Sequence, residues 1–234
     1  MSTPSFPPVT RLTPAPSAID DAAVRYHPHA PGPEDRVVLL LHGLGSHEED
    51  LLGLAPMLPP GPVYASLRGV LACGAGYAWM APPPVDPSDP SLIDESSAAV
   101  EDWIARTPGT VVGAIGFSQG GMLALHLLRR DARAFEWIVQ LSGRPFGAPQ
   151  PGDAALAERR PPALWGHGGL DPLFDPAMED EVRAFMTAHT ALEEVHRPYL
   201  GHGIDQEELA AIAGFVGRML EGADGGTAGV SAEG

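Results

Sequence analysis

Lysine is missing from this chain: all 14 basic side chains among its 234 residues are arginines. Without an amine there is no Schiff-base chemistry at a lysine and no P-loop, which excludes pyridoxal enzymes and P-loop kinases. Cysteine is almost as scarce. Cys73 stands alone, so neither an internal disulfide nor a multi-cysteine zinc site can form, and a reducing compartment suits the chain. Positive charge is in short supply against 30 acidic residues, and the formal net charge is −16. Such a surface repels phosphate backbones and anionic lipid, so neither nucleic acid nor a membrane surface is expected as a partner. Long apolar runs are lacking too. The longest stretch of large aliphatic residues, Val37 to Leu41, is far short of the ~20 residues that cross a bilayer. Met1 to Arg11 carries prolines and hydroxyls where a signal peptide needs an apolar core. The expectation is a soluble, cytoplasmic protein with no stable membrane insertion.

What is abundant is glycine and proline, 28 and 26 residues, dispersed among apolar runs in the manner of tight turns. The length suits one large α/β unit. Residues 1–19, rich in proline, read as a flexible leader dispensable for folding, and 222–234, poor in large apolar groups, as a disordered tail. The body, 20–221, alternates short apolar runs with helical patterns. Strands are expected at Arg36–His42, Pro62–Leu67, Thr110–Phe117, Trp137–Leu141, Ala163–Trp165 and His196–Leu200. Helices are expected at Ser91–Thr107, Gln119–Asp131, Pro176–His189 and Asp205–Leu220. Strand followed by helix throughout implies parallel pairing through right-handed crossovers, hence an open, mostly parallel sheet with helices on both faces and no large lid. Ligands in such sheets sit beyond the carboxyl ends of the strands.

The chemistry therefore has to be sought at those ends. Gly116-Phe-Ser118-Gln-Gly120 places the Gly-x-Ser-x-Gly pattern between a buried strand and a helix, where a strained turn projects the hydroxyl of Ser118. A serine needs a base to take its proton, and the base an acid to orient it. Downstream, in the order acid then histidine, stand Asp171 after the Ala163 strand and His202 after the His196 strand. Asp175 is an alternative acid, and Asp205 reads as a helix cap. His42 precedes a Gly-Leu-Gly turn and reads as a residue that shapes it, and His167 as structural. A metal site from His42, His47 and Glu48 has no ligand spacing to support it, so no metal is expected. Two amides are candidates for an oxyanion hole, those of Gln119, after the serine, and Leu44, in the loop after the Arg36 strand.

These residues resemble the phospholipase/carboxylesterase group of the α/β-hydrolase fold, which includes the acyl-protein thioesterases. The likeness rests on Leu41-His-Gly-Leu-Gly45, Arg68-Gly69, Gly116-Phe-Ser-Gln-Gly-Gly121, Leu141-Ser-Gly143, His167-Gly-x-x-Asp171-Pro and Gly201-His202-Gly203. The resemblance implies Ser118 as nucleophile, His202 as base, Asp171 as its acid, and Leu44 and Gln119 as oxyanion donors, with no cofactor. It also implies that the segment around Tyr77, Trp79 and Met80 builds part of the acyl pocket, although the same side chains equally suit a core. Where the group often has a glycine-aspartate pair, this chain has Ser46-His-Glu-Glu-Asp50, an acidic mouth that argues against anionic substrates. The expected activity is hydrolysis of short to medium carboxylic esters, with a small-molecule ester as partner. A thioesterase or lysophospholipase using the same residues, or a non-catalytic ligand-binding relative, is the alternative.

Overall fold

The computed structural model describes residues 7–82, 86 and 89–224. In chain order its strands are β1 (Val9–Arg11), β2 (Arg25–His27), β3 (Arg36–Leu41), β4 (Val63–Leu67), β5 (Leu71–Cys73), β6 (Gly76–Ala78), β7 (Thr110–Phe117), β8 (Trp137–Leu141), β9 (Pro162–Gly168) and β10 (Ala191–Arg197). Its helices are α1 (Glu49–Leu52), α2 (Ser91–Arg106), α3 (Gln119–Arg130), α4 (Asp153–Arg159), α5 (Pro176–His189) and α6 (Gln206–Asp224).

A seven-stranded sheet in the order β10-β9-β8-β7-β3-β4-β2 forms the centre. All its pairings are parallel except that of β2, which runs antiparallel along β4. β3 reads Val-Val-Leu-Leu-Leu after Arg36, and each of these five is at most 1% exposed. A strand apolar on both sides requires cover on both sides. One face packs beneath α2, α3, α4 and α5 through residues such as Val100, Leu123, Leu156 and Met186. The other packs beneath α1 and α6 through Leu51, Ile212, Phe215 and Val216.

Several expectations need correcting. The segment expected as a flexible leader is laid on the body over its described part. Val9–Arg11 pairs antiparallel with β5, Arg11 binds Glu95 at 2.6 Å, and Ser17 and Ile19 are buried. β1, β5 and β6 make a separate three-stranded sheet that the sequence does not announce, because its strands are only three residues long. The expected tail from 222 begins inside α6, which runs to Asp224; residues 225–234 lie outside the described residues. β10 covers Ala191–Arg197 in place of His196–Leu200. It is an edge strand whose residues are all partly or fully exposed, so Ala-Leu-Glu-Glu-Val lacks the apolar signature of a central strand.

Candidate active site

β7, β9 and β10 end on the same edge of the sheet, and the loops that follow bring three side chains together. Ser118, between β7 and α3, has φ 54° and ψ −116°, a backbone conformation that costs energy in a residue with a side chain and persists only where the surroundings enforce it. Here they do. The Ser118 amide donates to the Leu141 carbonyl at 2.7 Å, and its own carbonyl accepts from Met122 at 3.0 Å. The flanking glycines permit the close approach: a Cβ on Gly120 would lie 1.8 Å from the Leu41 carbonyl oxygen, and one on Gly116 2.2 Å from that of Gly120.

His202 stands between Ser118 and Asp171. Its Nε2 is 2.9 Å from the Ser118 hydroxyl and its Nδ1 2.6 Å from Asp171 Oδ2. The Asp171 carboxylate also accepts the Leu173 amide at 2.9 Å through its other oxygen and is almost wholly buried. The Phe117 ring lies 4.9 Å from the His202 ring. Asp175 is occupied elsewhere, accepting the Met178 amide at 2.8 Å as the N-cap of α5, and Asp205 caps α6 through the Glu208 amide.

The other histidines take structural places. His42 is fully buried; the Gly69 amide donates to its Nε2 at 3.0 Å, so the ring proton sits on Nδ1, which donates to the Gly43 carbonyl at 2.8 Å. Burial lowers its pKa to about 4 and keeps it neutral. His167 stacks on Trp165 at 3.9 Å and meets Glu194 at 3.0 Å. Glu48 is buried in an ion pair with Arg68, which holds its carboxyl below the usual range. The three residues weighed as a metal site thus have His42 and Glu48 already engaged. Among the described residues, no cluster of three or more histidine, cysteine or acidic side chains is disposed to hold a metal ion.

A cavity of about 450 Å³ opens on Ser118 and His202. Gly43, Leu44 and Gln119 line it, as do Met80, Phe117, Met122, Leu173, Phe174 and Met178. Of the three expected pocket residues, Met80 is therefore in the wall, but Tyr77 and Trp79 are not. Tyr77 lies beneath the Arg68 guanidinium at 4.5 Å and bridges to Ser46. Trp79 is fully buried and donates through its indole to the His42 carbonyl at 3.0 Å. The side chain of Gln119, unremarked in the sequence, ties this segment down: its oxygen accepts the Trp79 amide, and its nitrogen donates to the carbonyls of Met80 and Ala81. Phe174 and Met178 were not foreseen because they arrive from the loop and first turn of α5, where an apolar residue reads as helix packing.

The acidic run after β3 also looks different in place. Glu48 is turned into its ion pair, Glu49 lies 3.4 Å from Arg25, and of the charged residues in this run only Asp50 reaches the cavity wall.

An open, mostly parallel sheet covered on both faces, with serine, aspartate and histidine in the loops after β7, β9 and β10, defines an α/β-hydrolase fold. The model of the phospholipase/carboxylesterase family matches residues 91–220, and the chain belongs to that family. NocK of Nocardia uniformis subsp. tsuyamanensis, named as an esterase, is 36% identical over 168 residues, which are 64% of this chain and 45% of that protein. The chain thus spans less than half the length of that relative. MhqD of Bacillus subtilis, named as a hydrolase, is 28% identical over 197 residues, 78% of this chain and 92% of its own. A carboxylesterase structure from Bacillus cereus superposes with a TM-score of 0.69 at 20% identity, covering 84% of this chain and 93% of its own; it shows the shared fold. Among the described residues, no helix is long and apolar enough to cross a membrane.

Proposed function

We propose that the protein is a serine-dependent carboxylic ester hydrolase that works through an acyl-enzyme on short to medium acyl chains, in the cytoplasm and without a cofactor. The observation that supports this reading is the continuous hydrogen-bonded line from Asp171 through His202 to Ser118, at 2.6 and 2.9 Å, on the wall of a largely apolar cavity. Asp171 holds the imidazole with its proton on Nδ1, leaving Nε2 free to accept the hydroxyl proton as Ser118 attacks the ester carbonyl. The oxygen of the resulting tetrahedral intermediate gains charge, and the amides of Leu44 and Gln119 are the donors assigned to it. Gln119 is the first residue of α3, so the positive end of that helix adds to the effect. His202 then protonates the departing alcohol. Water, deprotonated by the same imidazole, cleaves the acyl-enzyme and restores Ser118.

A cavity of about 450 Å³ sits at the lower end of small-molecule sites, which favours small esters over an acylated protein or a long-chain lipid. The reading is tested with p-nitrophenyl esters from acetate to decanoate, on the wild type and on Ser118→Ala. Turnover that peaks at short or medium chains and falls by about 10³-fold or more in the variant is expected. Equal rates in the two proteins would remove the serine from the mechanism.

A further inference from the structure

The cavity wall contains a charge that no described residue neutralises. In a chain of net charge −16, arginines are readily matched: Arg68 by Glu48, Arg129 by Asp153, Arg130 by Glu101 and Arg183 by Glu194. Arg159 and Arg160 donate instead to backbone carbonyls. Arg144 does neither. Its guanidinium makes no hydrogen bond and no ion pair with any described residue, yet the residue is half-buried and lines the same cavity as Ser118 and His202. Arg133 also has no side-chain partner there, but it is exposed and solvated, so its charge costs nothing.

The backbone holds Arg144 in that wall. Ser142, at the end of β8, takes the left-handed conformation with φ 46°, and its amide donates to the Gly166 carbonyl at 2.8 Å. Gly143 then passes so near the serine turn that a Cβ on it would lie 3.0 Å from the Ser118 carbonyl oxygen and 3.0 Å from the Met122 amide. The next residue is Arg144. A guanidinium on a half-buried residue of this wall, with five donors and no acceptor, is ready to receive an oxyanion, and its planar fork matches a carboxylate.

We infer that Arg144 determines specificity by receiving a carboxylate carried by the substrate, so that the preferred esters are small and bear a second, ionised carboxyl group, as in half-esters of dicarboxylic acids. This inference rests on the ester-hydrolase reading for its reaction, not for its binding site. The charge balance of the wall favours a carboxylate over a phosphate. Asp50, the other ionised side chain lining the cavity, already accepts the Ser46 hydroxyl at 2.5 Å. Arg144 supplies one positive charge, enough for a monoanion, whereas a dianion would keep one charge unmatched beside Asp50 and in the field of an acidic protein.

The test compares kcat/KM for monomethyl adipate and methyl hexanoate, followed by titration of released acid, in the wild type, Arg144→Gln and Arg144→Lys. The ratio of the charged to the neutral ester should fall by about tenfold or more in Arg144→Gln, as expected for loss of a charge-assisted bond. It should be partly restored in Arg144→Lys, with the change carried by KM. A purely structural arginine would lower both esters together and leave the ratio alone, which overturns the inference. Calorimetric titration of monomethyl adipate into Ser118→Ala, with and without Arg144→Gln, gives a second readout that needs no turnover. A Kd raised about tenfold by Arg144→Gln, with neither ester hydrolysed by the wild type, keeps the carboxylate site and removes the esterase. Hydrolysis of both esters with ratio and Kd unchanged does the reverse. Neither hydrolysis nor binding removes both.

Discussion

The Gly69 amide donates to Nε2 of His42 at 3.0 Å, joining the loop after β4 to the end of β3, where the Gly43–Gly45 turn begins. His42 is fully buried and its ring is kept neutral by desolvation, with a pKa lowered to about 4. Unfolding releases it to its ordinary value near 6.5.

A prediction about acid stability follows from that pair. Because the folded pKa is depressed, the unfolded chain binds a proton that the native state refuses. The stability this contributes is complete above about pH 6.5 and is lost as pH falls toward about 4, at up to ~1.4 kcal/mol per pH unit. Urea unfolding across this window should show a shallower pH slope in His42→Gln than in the wild type. Parallel slopes would mean that His42 does not carry the effect.

Glu208 should behave in the opposite sense. Its carboxyl is fully buried in α6 against Gly166, neither oxygen has a hydrogen-bond partner among the described residues, and burial raises its pKa to about 7. The native state keeps a proton that the unfolded chain loses from about pH 4.5 upward. The stabilisation is therefore full in acid and is lost as pH rises through about 7, by up to ~3 kcal/mol in all. Glu208→Gln, which cannot ionise, should melt near the wild-type temperature at about pH 5 and clearly above it at about pH 8. A difference in Tm that does not grow with pH contradicts the assignment.

Gly120→Ala tests the turn that carries Ser118. The added Cβ would sit 1.8 Å from the Leu41 carbonyl oxygen, a backbone atom that cannot step aside without shifting β3. A loss of stability at or beyond the upper end of overpacking, about 3 kcal/mol, is expected in chemical denaturation. Retention of wild-type stability would show that the strand and helix are not pressed together as described.

Much of this architecture is legible in the chain itself. Runs such as Val37–Leu41 and Thr110–Phe117 are apolar on both strand faces and announce buried parallel strands, and the loops after β7, β9 and β10 carry Ser118, Asp171 and His202 to one edge. What was not legible has physical reasons. β1, β5 and β6 are too short for alternation to show, and β10 is an exposed edge strand whose glutamates break the apolar run that marks a central strand. Tyr77 and Trp79 looked like pocket residues because large side chains near a site serve either purpose, and only packing separates them. Arg144 is invisible in the sequence, since its significance lies in having no partner among the described residues.

An acyl-enzyme on Ser118 is sought by intact-protein and peptide mass spectrometry after rapid mixing with p-nitrophenyl acetate and acid quenching. An added acetyl group on the peptide containing Ser118, appearing with the first burst of nitrophenol and absent from Ser118→Ala, is the predicted result. Nitrophenol released catalytically with no acylation of Ser118, or with the acetyl group on another residue, would remove Ser118 as the nucleophile.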